Sequence, residues 1–337
     1  MSPLAFFKKA MKILYTVLNF KFSCVYLDNE ILICGGEWAH RNCYSYHLTK
    51  KEYKSIGEYT DADLNGHMVL KLKSDKDMTT LLSFGGKKEG HCLQMQYKSV
   101  WKDDTDCGPL LECTCMDIRA AVSGEKKSLL FLMYRSNVIE VFDMTIWTLI
   151  TSKKLPILYG DCGVGCLVEI KTNELLLNER QGFNIPFDEK DKTFACKTMN
   201  ICNSLMHISN YSFVCVNDSM LLFGGYSNRC FTRTDSIFVY TPKKNGWMCY
   251  FSSLPLPLSS SGIVFNLLDK SIHIIGGLDD NWQTSNLHYV VNAQDILLKN
   301  AQQIRIIMEF WIRDCGHSTL HWVKELGAII EDFFVVK

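Results

Sequence analysis

The sequence has little of what would mark it for nucleic acid or a membrane. It has no excess charge: 36 lysines and arginines face 36 aspartates and glutamates. No global field therefore draws the chain onto a polyanion or an anionic bilayer. It has no uninterrupted apolar run of about 18 residues, the length a membrane-spanning helix needs. With 7 prolines and 21 glycines in 337 residues, it is neither collagen-like nor dominated by linkers. The polar bias of disordered chains is missing as well, because 47% of residues are hydrophobic and 21% charged, enough to fill a core. A secretory leader is barely sketched: Lys8, Lys9 and Lys12 precede a short apolar stretch at 13–20. Thr16 and Asn19 interrupt that stretch, and Lys21 follows it where a small-residue cleavage site would stand. A cytoplasmic chain is the expectation, with a protein partner and neither nucleic acid nor membrane.

Paired cysteine spacing is also missing. The 15 cysteines are odd in number and scattered. The two tight spacings, Cys113/Cys115 and Cys162/Cys166, do not make the repeated CxxC of a zinc site. Cys24, Cys34, Cys215 and Cys249 sit inside apolar runs, where a free cysteine packs as a small hydrophobe. Reduced, buried and inert thiols are expected. No GxxxxGK[ST] loop, no G-x-S-x-G elbow and no triad spacing occurs. No catalytic residue, resident metal or cofactor is therefore expected.

What is there is a repeat. Residues 30–36 (EILICGG), 80–86 (TLLSFGG), 220–225 (MLLFGG) and 271–277 (SIHIIGG) each end an apolar strand in a glycine pair. Their first glycines, Gly35, Gly85, Gly224 and Gly276, are 50, 139 and 52 residues apart. The long gap is close to three periods. Two degenerate copies fall inside it, at 128–134 (SLLFLMY) and 174–179 (ELLLNE). Six copies at this period, with four strand-like pieces to a repeat and three in the last, are the signature of β-propeller blades. A second regularity follows the glycine pairs. One aromatic column holds Tyr46, Trp101, Phe142, Phe187, Tyr240 and Tyr289; a second, a few residues on, holds Tyr53, Trp147, Phe194 and Trp247. Large apolar rings at fixed positions pack one blade on the next. The second repeat lacks the later aromatic, and its outer strand is expected within 109–115.

The four apolar-Gly-Gly strands, Gly66-His67 before a first strand and the aromatic columns resemble kelch repeats. More narrowly, ILICGGE at 31–37 with CYSYH at 43–47, and FWIR at 310–313 with WVKE at 322–325, resemble stand-alone kelch-motif proteins abundant in some protists. The resemblance implies an all-β, six-bladed kelch-like β-propeller over residues 10–291 with a short C-terminal helical tail, 293–337. Repeat six then lacks a fourth strand, and residues 11–18 are the expected donor, sealing an exposed edge. In the tail, Leu297, Ala301, Ile304, Met308 and Trp311 follow helical spacing. Gly316 interrupts it, and Leu320, Val323, Leu326 and Ile330 begin a second helix. Its apolar faces either dock on the propeller or form a dimer or partner-binding helix pair.

In such a fold, the loops after the glycine pairs and the links between blades emerge on one face, the recognition surface of kelch proteins. The sequence places Trp38, Arg41, Arg135, Arg229, Phe231 and Trp282 there, aromatics beside arginines of the kind that anchor interfaces. A non-catalytic scaffold that binds a protein partner is the expectation. Two alternatives stay open. One is a copper or iron enzyme, since galactose oxidase and the specifier proteins of glucosinolate breakdown are kelch propellers. Asp63 and His67 match the second half of the latter's Glu-x-x-x-Asp-x-x-x-His, with Tyr59 where the glutamate would stand. The other is a diverged copy without a specific partner.

Overall fold

The computed structural model describes residues 8–12 and 22–297, apart from short segments at 37–40, 60–63, 65, 76–77, 86–90, 103–110, 114–117, 135–137, 157–165, 172–173, 179–181, 200, 243–244 and 251–252. Strand β1 (Lys8–Lys12) joins the last sheet and is taken up there. The first sheet is β2 (Ser23–Leu27), β3 (Glu30–Cys34), β4 (Asn42–His47) and β5 (Glu52–Glu58), paired in that order. The second is β6 (Met68–Asp75), β7 (Met78–Gly85), β8 (His91–Lys98) and β9 (Leu111–Cys113). The third is β10 (Ile118–Ser123), β11 (Leu129–Tyr134), β12 (Val138–Asp143) and β13 (Thr148–Lys154). The fourth is β14 (Cys166–Lys171), β15 (Glu174–Asn178) and β16 (Gly182–Asp188), with β17 (Thr193–Phe194) and β18 (Lys197–Met199) both pairing β16.

Strand β19 (Ile208–Ser209) lies on the link to the fifth sheet. That sheet runs β20 (Ser212–Val216), β21 (Ser219–Phe223), then β24 (Ile237–Thr241) and β25 (Gly246–Cys249). Between β21 and β24 the chain makes a hairpin of β22 (Tyr226–Ser227) and β23 (Thr232–Arg233), which pairs β19 as a separate small sheet. The sixth sheet is β26 (Gly262–Phe265), β27 (Ser271–Ile275), β28 (Leu287–Asn292) and, on its outer edge, β1. All pairings are antiparallel.

The apolar runs that end in glycine are the second strands. They read as continuous hydrophobic segments because they are covered on both faces: every residue of β3 and of β27 is buried. Six core clusters lie between consecutive sheets. Val25, Leu32 and Cys34 meet Val69 and Leu81 between the first two, and Phe84 meets Ala120 and Leu130 between the next pair. Phe131 and Val141 meet Leu167 and Ile185, and Met199 meets Leu222 and Phe238. Phe223 meets Ile272 and Ile274. The last cluster joins Ile31 and Ile33 of the first sheet to Val264 and Ile275 of the sixth. The first strands follow the same circuit, β2–β6–β10–β14–β20–β26 and back to β2. The sheets therefore close on themselves, which removes the free face an open stack would expose.

Three aromatic pairs stand in register as the spacing predicts: Tyr46 opposite Tyr53, Phe187 opposite Phe194 and Tyr240 opposite Trp247. Their ring centroids are 4.6, 4.8 and 5.2 Å apart. The third repeat differs. Trp147 lies in the β12–β13 turn with φ 52° and is 51% exposed, while Leu149 takes the place opposite Phe142. A spacing of five falls in the turn; a spacing of seven reaches the returning strand. Trp101 lies beyond the end of β8 and turns back to the first sheet, where its Nε1 donates to Ser45 Oγ at 2.8 Å. Ser45 in turn donates to Glu30 Oε2 at 2.6 Å, as does Tyr97 from the second sheet, also at 2.6 Å. Glu30 is a buried carboxylate that ties two sheets together through hydroxyl donors. Glu30→Ala leaves the Tyr97 hydroxyl without its acceptor and should cost about 3 kcal/mol in urea unfolding. A loss no larger than that of Glu52→Ala, at an exposed position of β5, would contradict this.

Two expectations about the ends are refined. The N-terminal segment does pair β28, but through residues 8–12, with Met11 opposite His288 and Lys12 opposite Leu287. Residues 13–18 of the expected strand lie outside the described residues. In the tail, residues 293–297 make a helical turn. Ala293 and Ile296 are buried against the fifth and sixth sheets, and Tyr250 donates its hydroxyl to the Asp295 carbonyl at 3.2 Å. The rest of the expected tail, 298–337, lies outside the described residues. No described helix is long and apolar enough to cross a membrane.

Candidate functional site

Antiparallel pairing sends the links between sheets and the loops after the second strands to the same side. The fifth and sixth sheets show this directly. Gly225 donates to the Leu258 carbonyl at 2.8 Å, Ser260 to that of Asn210 at 2.7 Å, and Ser259 and Leu278 exchange two bonds. Thus two inter-sheet links (208–210 and 258–260) and two loops (224–236 and 276–286) form one surface.

At its centre is Arg233, on strand β23 of the hairpin. It is buried, 6% exposed. Its backbone N–H donates to Asp280 Oδ1 at 2.7 Å and its Nε to Ser259 Oγ at 2.9 Å. Its guanidinium approaches Asp280 at 3.9 Å. It lies 4.4 Å from the Trp282 ring centre and 5.6 Å from that of Tyr226, and the two rings are 5.8 Å apart. The three groups form a triangle, and cation–π attraction acts along two of its sides. Burial pulls the guanidinium below its ordinary range, opposed by Asp280 and Asp279. Arg233 is a strut: it joins the fifth sheet's hairpin to the sixth sheet's loop and braces Trp282 from beneath.

On this frame stand two exposed aromatics, Phe231 at 76% and Trp282 at 66%. Both have left-handed backbones, with φ 57° and 59°. That conformation disfavours bulky side chains by about 1–2 kcal/mol. Local hydrogen bonds hold it. Phe231 N donates to the Ser227 carbonyl at 2.8 Å, and Trp282 N to that of Asp279 at 3.0 Å. The Asp279 carboxylate accepts from the N–H groups of Asn281 and Gln283, both at 2.9 Å. Strained backbone at an exposed aromatic is a reason to look for a ligand there.

Of the other expected residues, Arg229 is exposed at the tip of the same hairpin. Arg41 is half-buried, and its carbonyl accepts from Tyr59 N at 2.9 Å. Trp38 and Arg135 lie outside the described residues. The structure thus gathers Arg229, Phe231 and Trp282 on adjacent loops. Tyr226 and Ser259 were missed, because their parts depend on Arg233 being turned inward.

A second polar cluster lies where the ring closes. Tyr53 hydroxyl and His288 Nδ1 are 2.7 Å apart, His288 Nε2 and His273 Nδ1 2.8 Å, and His273 Nε2 and Ser271 Oγ 3.1 Å. Ser271 donates to Asp269 Oδ1 at 2.6 Å. The carboxylate only accepts, so each proton along the chain is placed: Ser271 accepts from His273 Nε2–H, His273 Nδ1 from His288 Nε2–H, and His288 Nδ1 from Tyr53. Both imidazoles are neutral single tautomers. Burial holds His273 down to about 4; burial and the neighbouring His273 hold His288 down to about 3.

Among the described residues no group of three or more His, Cys, Asp and Glu side chains is placed to hold a metal ion. Asp63 is outside the described residues. His67 is buried, with Nδ1 2.7 Å from the Leu64 carbonyl. Nine described cysteines are free thiols. Of the four expected inside apolar runs, Cys34 is buried, Cys24 and Cys215 are half-buried, and Cys249, on the outer strand β25, is exposed.

No family model matches the chain, and no curated protein matches it. Among solved structures, one titled "Structure of YjhT" superposes with a TM-score of 0.63 at 11% identity, over 85% of this chain and 98% of that one. The likeness, with the closed circuit of small antiparallel sheets, makes this an all-β protein of β-propeller-like fold.

Proposed function

We propose that this chain is a six-bladed kelch-type propeller acting as a non-catalytic scaffold, which holds a protein partner on its loop face through Phe231 and Trp282, with Arg229 beside them. The observation that carries this reading is the pair of exposed, backbone-strained aromatics on the Arg233 strut. A surface evolved only for solubility has no use for either. Large rings at low conformational cost, set beside arginine, are the usual source of interface energy. The repeat of glycine-ended strands and the six inter-sheet clusters support the blade count.

The test is affinity capture from native lysate with quantified partners. A Phe231→Ala/Trp282→Ala variant should retain less than a tenth of a partner that the wild type captures reproducibly. An unchanged partner set in a variant with wild-type circular dichroism and melting would overturn the choice of residues. Phe231→Gly adds a sharper check. Glycine accepts φ 57° freely, so the variant should hold or gain up to about 1 kcal/mol of stability while binding falls. A loss of both would make Phe231 a packing residue.

A further inference from the structure

Cys34 ends β3 and Cys43 lies in β4, and the two are direct cross-strand partners. Gly35 N donates to the Asn42 carbonyl at 3.2 Å. This bond joins the residues flanking the pair, so Cys34 and Cys43 occupy a non-hydrogen-bonded position of the ladder. There the Cα atoms approach to about 4.5 Å and the side chains come closest, inside the roughly 4.4–6.8 Å that a disulfide spans. Both thiols are buried, and Cys43 Sγ donates to the Arg41 carbonyl at 3.9 Å. Immediately after Cys43 the register slips by one residue against β5. A bulge of this kind adds local twist, which a cross-strand disulfide needs.

We propose that Cys34 and Cys43 are a redox couple, converted by a hydroperoxide into a cross-strand disulfide that pins both ends of the 35–42 loop. Cys43, 5% exposed against 0% for Cys34, is the attacking sulfur. Its thiolate takes the peroxide's distal oxygen, the O–O bond breaks, and water leaves after protonation. The resulting sulfenic acid is attacked by the sulfur of Cys34, which gives up its proton. The S–S bond forms and the sulfenic oxygen departs as a second water. In sum, two thiols lose two electrons and two protons, and hydrogen peroxide becomes two waters. The neighbouring thiol and burial push Cys34 well above the ordinary thiol range, which slows its attack on the sulfenic acid and makes the pair respond to sustained rather than brief oxidant. The segment it fixes follows a second strand and ends at Arg41, on the side of the sheets assigned above to partner binding. The chemistry itself does not rest on that assignment.

The test uses the full chain with Cys230→Ser and Cys249→Ser, which removes the described exposed thiols and their intermolecular products. After hydrogen peroxide and alkylation, peptide mapping should find a Cys34–Cys43 linkage two hydrogens lighter than the reduced pair. The oxidised protein should melt several degrees higher, and dithiothreitol should reverse both changes. Adding Cys24→Ser should leave the linkage intact, and adding Cys43→Ser should abolish it with the melting shift. Cys34 and Cys43 both recovered alkylated would overturn the proposal. So would linkage of either to Cys24 or Cys92, or a Cys43 that proceeds to sulfinic acid without a disulfide.

Discussion

Acidification from pH 7 to pH 5 should remove about 4 kcal/mol of stability through His273 and His288 alone. In the unfolded chain each imidazole titrates near 6.5. In the native protein the same groups stay neutral down to about 4 and about 3. The folded values are lowered, so the unfolded state binds the extra protons. The stability they contribute is complete above pH 6.5 and is lost as pH falls toward the native values. At pH 5 each histidine lies about 1.5 units below its unfolded value, which is about 2 kcal/mol apiece. A domain holds only about 5–15 kcal/mol in total. The loss falls where the sixth sheet meets the first: Tyr53 on β5 donates across the junction to His288 on β28, and the Tyr46 ring packs edge-on at 4.6 Å. Protonating His288 removes the acceptor for Tyr53 and sets a cation against His273. Urea unfolding at the two pH values measures the effect. His273→Gln/His288→Gln should lose most of the acid sensitivity, and a double variant as acid-sensitive as the wild type would refute the assignment.

That junction also marks how far the sequence could be read. Strand phase was legible because glycine pairs recur at a period that only a stack of similar sheets explains. Even the copies without glycine, β11 and β15, fall where arithmetic puts them. The Tyr46–Tyr53, Phe187–Phe194 and Tyr240–Trp247 pairs were legible from a spacing of seven, and the same rule, applied strictly, would have excluded Trp147. The polar ties were not legible. Tyr53 and His288 are 235 positions apart, and nothing local in either repeat signals the other. Glu30 resembles any charged residue opening a strand until Tyr97 and Ser45 arrive from other strands. The part played by Arg233 was not legible for a related reason. A loop arginine is ordinarily solvated, but here the sixth sheet's loop supplies a carboxylate and an indole that favour burying it. Local pattern specifies elements and faces, whereas the contacts between repeats depend on the closed ring.

Gly224→Ala should be among the most damaging single substitutions, costing about 3–5 kcal/mol and disordering the loop face with it. Gly224 has φ 62°, which costs any L-residue about 1–2 kcal/mol. An added Cβ would also overlap the Leu258 carbonyl oxygen and press the Thr234 carbonyl oxygen at 3.2 Å. These are backbone atoms, and no rotamer change relieves them. The Leu258 carbonyl accepts from Gly225, the next residue Ser259 holds Arg233 Nε, and Thr234 N donates to the Gly225 carbonyl. Displacing this link therefore loosens the strut beneath Trp282. Gly66→Ala is the matched control. Its φ is 75°, but nothing stands within 4 Å of the added carbon, so strain alone predicts about 1 kcal/mol. Chemical denaturation separates the two costs, and Trp282 fluorescence in a variant lacking the other tryptophans reports on the loop face. Equal losses at Gly224 and Gly66 would mean that backbone strain accounts for the glycine pair. A larger loss at Gly224, with a shifted Trp282 emission, would mean that the glycine is there to let the inter-sheet link approach, and that the residue defining the repeat also positions the proposed binding surface.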